Sequence, residues 1–183
     1  MPFVDLLRTT VLLSAGSASA LGAVTLGTAL SGGQDGVLAV AVGWWLAAAL
    51  IGIWLGRRGD TSPPIATLLA SARRRSSLPE VNPARTVLNR LWPLLVCTIG
   101  AGAIGAALPQ VPAIAAGFAI IWALAWRRQP SAVTAIERRD GARFYVEPTS
   151  PLQAIALVRT PGLRTEATAH NGSQAPSESR RPA

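Results

Sequence analysis

The chain is poor in charge and almost empty of the side chains on which most chemistry depends. Only 14% of its 183 residues are charged and half are apolar, whereas a soluble domain carries about a quarter charged residues. That balance favours a bilayer over water as the solvent. There is one histidine, His170, and one cysteine, Cys97. A lone cysteine excludes an intramolecular disulfide, and Cys97 falls inside an apolar stretch, where it reads as a small packing residue. With one histidine, and no charge inside any apolar run, neither a metal cluster nor a histidine relay can be assembled from a single chain. Lysine is missing altogether, since all 17 basic residues are arginine. Together with abundant Ala, Gly and Pro, this reads as the codon bias of a GC-rich bacterial genome and carries no function. The net charge of +8 and pI near 11.6 come without a basic face interleaved with stacking aromatics, so nucleic acid is not an expected partner.

What the sequence does have is four apolar runs, 9–30, 37–56, 91–108 and 111–126. Each reaches or approaches the roughly 20 helical residues that cross a hydrocarbon core. The third and fourth are short and are joined only by Leu108-Pro109-Gln110-Val111-Pro112, which predicts a helical hairpin. Pro112 suits the first turn of the fourth helix, where its missing N–H is not needed.

Orientation follows from the arginines. The connections 31–36 and 109–112 have none. Arg57, Arg58, Arg73, Arg74, Arg75, Arg85 and Arg90 lie between the second and third runs, Arg127 and Arg128 follow the fourth, and Arg8 precedes the first. The positive-inside rule then places both termini in the cytoplasm of a cell membrane. Trp54, Trp92 and Trp126 lie within three residues of an arginine at these inner boundaries, where an indole buries its ring and wets its N–H. The first run has an alternative, a cleaved signal peptide, because Arg8, Val11 to Leu13 and Ala18-Ser19-Ala20 fit that pattern. Against it, the apolar sequence continues to Leu30.

The basic loop 57–90 is too long for a plain connection. Pro64, Ile65, Leu68, Leu69 and Ala72 have helical spacing and lead into Arg73-Arg74-Arg75. This predicts a short helix on the inner leaflet, its apolar face in the headgroup boundary and Arg73, Arg74 and Arg75 on anionic lipid. An irregular loop whose arginines only fix topology is the other reading. Asn82-Pro83 reads as a helix start, and Pro93 would kink that helix just inside the membrane.

From residue 127 the composition turns polar. The segment 136–146 alternates about Asp140-Gly141, which predicts a β-hairpin with Gly141 left-handed, Glu137 opposite Arg143 and Ile136 opposite Phe144. Leu152 to Val158 would add a third strand, and 165–183 is expected to be disordered. The expected fold is therefore an all-α polytopic membrane protein of about four transmembrane helices over 1–126, followed by a small cytoplasmic β-hairpin-containing segment over 127–164. An isolated hairpin is marginal in water, so Ile136, Phe144, Tyr145 and Val146 are candidate docking residues for another protein or the chain's own inner loop; the alternative is that the strands lie against the headgroups, with Arg138, Arg139 and Arg143 on lipid phosphate.

No catalytic, cofactor-binding or metal-binding residue emerges. Asp5, Asp35, Asp60 and Glu80 are loop acids at unrelated spacings. Ser14, Ser17, Ser19, Thr25, Thr28 and Thr98 could line an oligomeric pore. They equally suit close packing, as do Gly52-xxx-Gly56, Ala101-xxx-Gly105 and Gly102-xxx-Ala106. Trp44 and Trp45, in the middle of the second run, each need a partner for an indole N–H, such as a first-helix hydroxyl or a neighbouring subunit. Arg58-Gly59-Asp60 and Asn171-Gly172-Ser173 resemble adhesion and glycosylation motifs on the wrong side of the membrane for either, and Gly100, Gly102 and Gly105 lack the context of a nucleotide loop. The expected role is a non-catalytic accessory or scaffold subunit without a cofactor, with an oligomeric channel or transporter subunit as the alternative. The bilayer is one partner and a membrane or cytoplasmic protein another.

Overall fold

Glycine and proline set the helix ends in this computed structural model, which describes residues 1–57, 61–74, 83–147 and 155–161. Helix α1 (Phe3–Ser31) starts after Pro2 and closes at Gly32 and Gly33. Gly33 takes a left-handed φ of 61°, so that the Gln34 N–H reaches the Ala29 carbonyl at 3.0 Å and covers an otherwise orphaned acceptor. Helix α2 (Asp35–Leu55) follows at once. A short helix, α3 (Pro63–Ala70), carries proline in its first turn. Helix α4 (Pro83–Ile104) has Pro93 inside it, which deprives the Asn89 carbonyl of its intrahelical donor. After a turn, α5 (Gln110–Trp126) returns, and a break at Arg127–Arg128 leads into α6 (Gln129–Asp140).

Among the described residues, three strands complete the fold: β1 (Arg73–Arg74), β2 (Ala142–Val146) and β3 (Leu157–Pro161), in the order β1-β3-β2. β2 and β3 are antiparallel, with Phe144 opposite Arg159 and Val146 opposite Leu157. β1 joins β3 in parallel. The chain's first residues close the other edge, through a Pro2–Tyr145 bridge and a Val146 N–H donated to the Met1 carbonyl at 3.0 Å.

Among the described residues, four helical stretches are long and apolar enough to cross a membrane, the fourth running on through the break into α6. α1 runs parallel to α4 and α2 parallel to α5. α5 is the central helix, because its buried face is made of Ala113, Ala116, Gly117, Ala119 and Ala123, small enough for α1 and α2 to approach closely. A Cβ at Gly52 would stand 2.8 Å from the Leu124 Cβ, and one at Gly105 would stand 2.8 Å from the Pro112 Cγ. The small-residue patterns therefore serve helix contacts within the chain. Large apolar side chains point away from the bundle, among them Leu12, Val40, Leu50, Trp54 and Ile99. So wide an apolar belt is what lipid, not water, accommodates, and with four such helices it fits a multi-pass membrane protein.

Several expectations change. The segment expected to form the first hairpin arm and the start of its Arg139-Asp140-Gly141 loop, from Ile136 to Asp140, is the end of α6. Gly141 is left-handed, with φ 58°, as the helix C-cap and not as a hairpin turn. The physical reason is that Asp-Gly serves a C-cap as well as a hairpin, and that Val133 and Ile136, three residues apart, meet one core. An antiparallel pair does form, but between β2 and β3; Leu152 lies outside the described residues. The third run was expected to stay helical to Leu108, but α4 ends at Ile104, where Gly105 begins the turn. The short helix appears where expected. Its apolar face packs on protein, however, and Arg73 and Arg74 form a strand. Cys97 is exposed on α4 and is not an internal packing residue. Asn82, the 58–60 tripeptide, Glu80, His170, the 171–173 pattern and the 165–183 tail lie outside the described residues.

Candidate functional site

One end of the bundle carries a folded cap with its own core. Phe3, Val4, Leu6 and Leu7 from the start of α1 meet Ile65 of α3, Val133 of α6, and Phe144, Val146 and Leu157 of the sheet. Phe144 is 2% exposed, and Val146 and Val133 are 0% exposed, so these side chains are fully removed from solvent. Leu68, Leu69, Ala72, Trp126 and Ile136 close the margin. The strand alternation explains the sorting: Ala142, Phe144 and Val146 face inward, while Tyr145, on the other face, is only half-buried and Arg143 is exposed.

Polar contacts lock the cap onto the bundle. The Phe144 N–H donates to Glu137 Oε1 at 3.0 Å, which ties β2 to the end of α6. The Ser62 N–H donates to Gln129 Oε1 at 3.1 Å, which ties the start of α3 to the start of α6. Arg128 Nη1 donates to the Arg57 carbonyl at 3.0 Å, beside the end of α2. Arg139 Nε pairs with Asp140 Oδ1 at 2.9 Å, and Arg159 Nη2 lies 3.9 Å from Asp140 Oδ2. The Arg139 hydrogen bond holds the Asp140 carboxyl below its usual range. Its contribution to cap stability is therefore present above the ordinary carboxylate pKa and is lost as pH falls through the lower folded value. Arg139, Asp140 and Arg159 line a polar cavity of about 400 Å³ with Thr61, Leu69 and Phe144.

Of the candidate docking residues, Phe144 and Val146 belong to the intramolecular core, Ile136 sits at its margin, and Tyr145 lies half-buried on the opposite face of the sheet, beside the buried Val158. Of the lipid-contact candidates, Arg73 is exposed, the Arg74 side chain is not described, and Arg75 lies outside the described residues. The residues that sequence reasoning missed are Phe3, Val4, Leu6 and Leu7. Their signal was present as an apolar cluster at i, i+3 and i+4 ahead of Arg8, outside any stretch a membrane span required.

Within the bundle, Ser14, Ser17 and Thr25 are buried on one face of α1. Thr25 Oγ1 donates to its own Leu21 carbonyl at 2.9 Å. Thr98 Oγ1 lies 2.7 Å from the Leu94 carbonyl and 3.0 Å from Ser17 Oγ. A hydroxyl has one proton, so Thr98 donates to Leu94 and accepts from Ser17. The indoles of Trp44 and Trp45 donate to consecutive carbonyls of α5, Ile114 at 3.2 Å and Ala113 at 2.9 Å. Among the described residues, no group of three or more His, Cys, Asp or Glu is placed to hold a metal ion.

Comparison with known proteins gives no relative: no family model, curated protein or solved structure matches the chain.

Proposed function

We propose that the chain is a non-catalytic accessory or scaffold subunit of a bacterial cell membrane, both termini cytoplasmic, which holds a small folded cap in fixed orientation at the inner surface. The observation that carries this reading is the shared core of Phe3, Leu6, Ile65, Val133, Phe144, Val146 and Leu157. It joins the start of the first span to the last strands, so the cap cannot swing free of the bundle. The orientation is supported by the arginines, since every described one lies at the cap end or in the first turns leading from it, while the turns at 32–34 and 105–109 carry none. Burial of Ser14, Ser17 and Thr25 inside the chain favours packing over a pore lining.

Tyr145 is the aromatic that the cap core leaves available, and an aromatic of this kind is a common interface anchor. A photocrosslinker placed beside it, at Arg143, should capture a defined partner in native membranes, and Tyr145→Ala should reduce that capture without altering insertion. Replacing Asp5, Asp35, Asp60, Glu80 or His170 singly by Ala should leave the phenotype of gene loss complemented. Loss of function from one of these would revive an enzyme, and ion flux in vesicles holding the purified chain would favour the channel alternative.

A further inference from the structure

The two helical hairpins differ in length, and the whole difference falls at one end. Beyond Arg8, α1 offers about 23 uncharged residues, and α2 about 20 after Asp35; these are roughly 34 and 30 Å of helix. Both match a hydrocarbon core of about 30 Å. α4 offers only the stretch from Leu91, after Arg90, to Ile104: about 14 residues, or roughly 21 Å. α5 has 17 residues before Arg127, roughly 25 Å.

Side-chain registers locate the shortfall. Thr98 meets Ser17, Gly102 faces Leu21, and Gly105 faces Val24. Carried toward the cap, the same register sets Arg90 level with Arg8. The Arg128 bond to the Arg57 carbonyl likewise makes the inner ends of α5 and α2 flush. Carried outward, α4 stops at the level of Val24, while α1 continues about seven residues to Ser31, roughly 10 Å further. Gln110 faces Gly36, Val37 and Val40 across a cleft of about 680 Å³ with Trp44 and Ile114 in its walls. The 105–109 turn therefore lies below the 32–34 turn.

We propose that the α4–α5 hairpin ends inside the outer half of the membrane and draws outer-leaflet phospholipid down onto it, the acyl chains filling the cleft between α2 and α5. This rests on the membrane reading above. The exposed Gln110 amide demands a polar neighbour. Hydrocarbon supplies none, whereas a bilayer thins at a modest cost per ångström. The outer headgroups then sit roughly 5–10 Å deeper over this hairpin than beside the α1–α2 turn.

The test uses the full chain with Cys97→Ser and three single cysteines, each reacted with a membrane-impermeant maleimide in intact cells. Gly33→Cys marks the long turn and Gln110→Cys the short one. Leu26→Cys marks a lipid-facing site, 40% exposed, on α1 at the depth of the short turn. Gln110→Cys should react within about threefold of Gly33→Cys, and Leu26→Cys at least about thirtyfold more slowly than either. In vesicles, lengthening the lipid from di-C14:1 to di-C22:1 phosphatidylcholine should slow Gln110→Cys about three- to tenfold and leave Gly33→Cys unchanged. If Gln110→Cys is as slow as Leu26→Cys, the turn lies in hydrocarbon and the proposal is wrong. It is equally wrong if Leu26→Cys reacts as fast as Gln110→Cys, because water then reaches the whole bundle. An unreactive Gly33→Cys in intact cells would remove the orientation itself, and the proposal with it.

Discussion

Among the described glycines, Gly117 has the least room, since a Cβ added there would fall on the Trp44 indole. Gly43, one residue before Trp44 on α2, has open space where its Cβ would stand. The same substitution should therefore have opposite signs at the two positions. Gly117→Ala should destabilise the purified chain in detergent by about 1–3 kcal/mol through overpacking. Gly43→Ala should be neutral or stabilise by up to about 1 kcal/mol through helix propensity. Thermal unfolding followed by circular dichroism measures both, and equal shifts would show that the Trp44 contact is slack. That two mid-span indoles needed partners was legible in the sequence, but which partners was not. The acceptors are the backbone carbonyls of Ala113 and Ile114, and a carbonyl leaves no trace in residue identity.

Elements repeat this lesson in a different form. Four spans were readable because an uninterrupted apolar run has few other interpretations, whereas α6 was not, because Asp140-Gly141 serves two backbone geometries equally well. The burial of Val133 and Phe144 in one core decided between them. The apolar face of α3 was also readable, but its destination was not, since Ile65 suits a headgroup boundary as well as a protein core. The start of α1 carries the same ambiguity into a prediction. Phe3→Ala and Phe144→Ala remove aromatic rings from one core, and each should cost about 3–5 kcal/mol. Tyr145→Ala, half-buried on the other face of β2, should cost less, about 1–2 kcal/mol. Trypsin added to inside-out vesicles reads this directly, because the cap carries Arg138, Arg139, Arg143 and Arg159. Faster cleavage is expected for the first two variants and a smaller change for the third. If Phe3→Ala left the cap as resistant as the parent chain, the first helix would not belong to it. A cleaved signal ending near Ala20 would discard Phe3, Val4, Leu6 and Leu7 together, so the intact mass of the membrane-bound chain should retain residues 1–20.

At the scale of the whole molecule, an apolar bundle carries arginine, among the described residues, at one end only. Cysteines at Gly33 and Gln110 should react from outside intact cells, and one at Ser131, exposed on α6, should react only after permeabilisation. The reverse pattern would overturn the orientation. The cap's core also imposes an order on biosynthesis, because its two halves lie at opposite ends of the chain. Phe3 and Leu6 leave the ribosome before Leu157 exists, and at about 5–20 residues per second the interval is on the order of 10–30 s. During that time the four apolar side chains of α1 gain their cover piecemeal, first from Ile65, then from Val133, Phe144 and Val146, and last from Leu157. A chain truncated just before β3 lacks Leu157 and the strand that pairs with Phe144 and Val146, so its cap core stays open on that side.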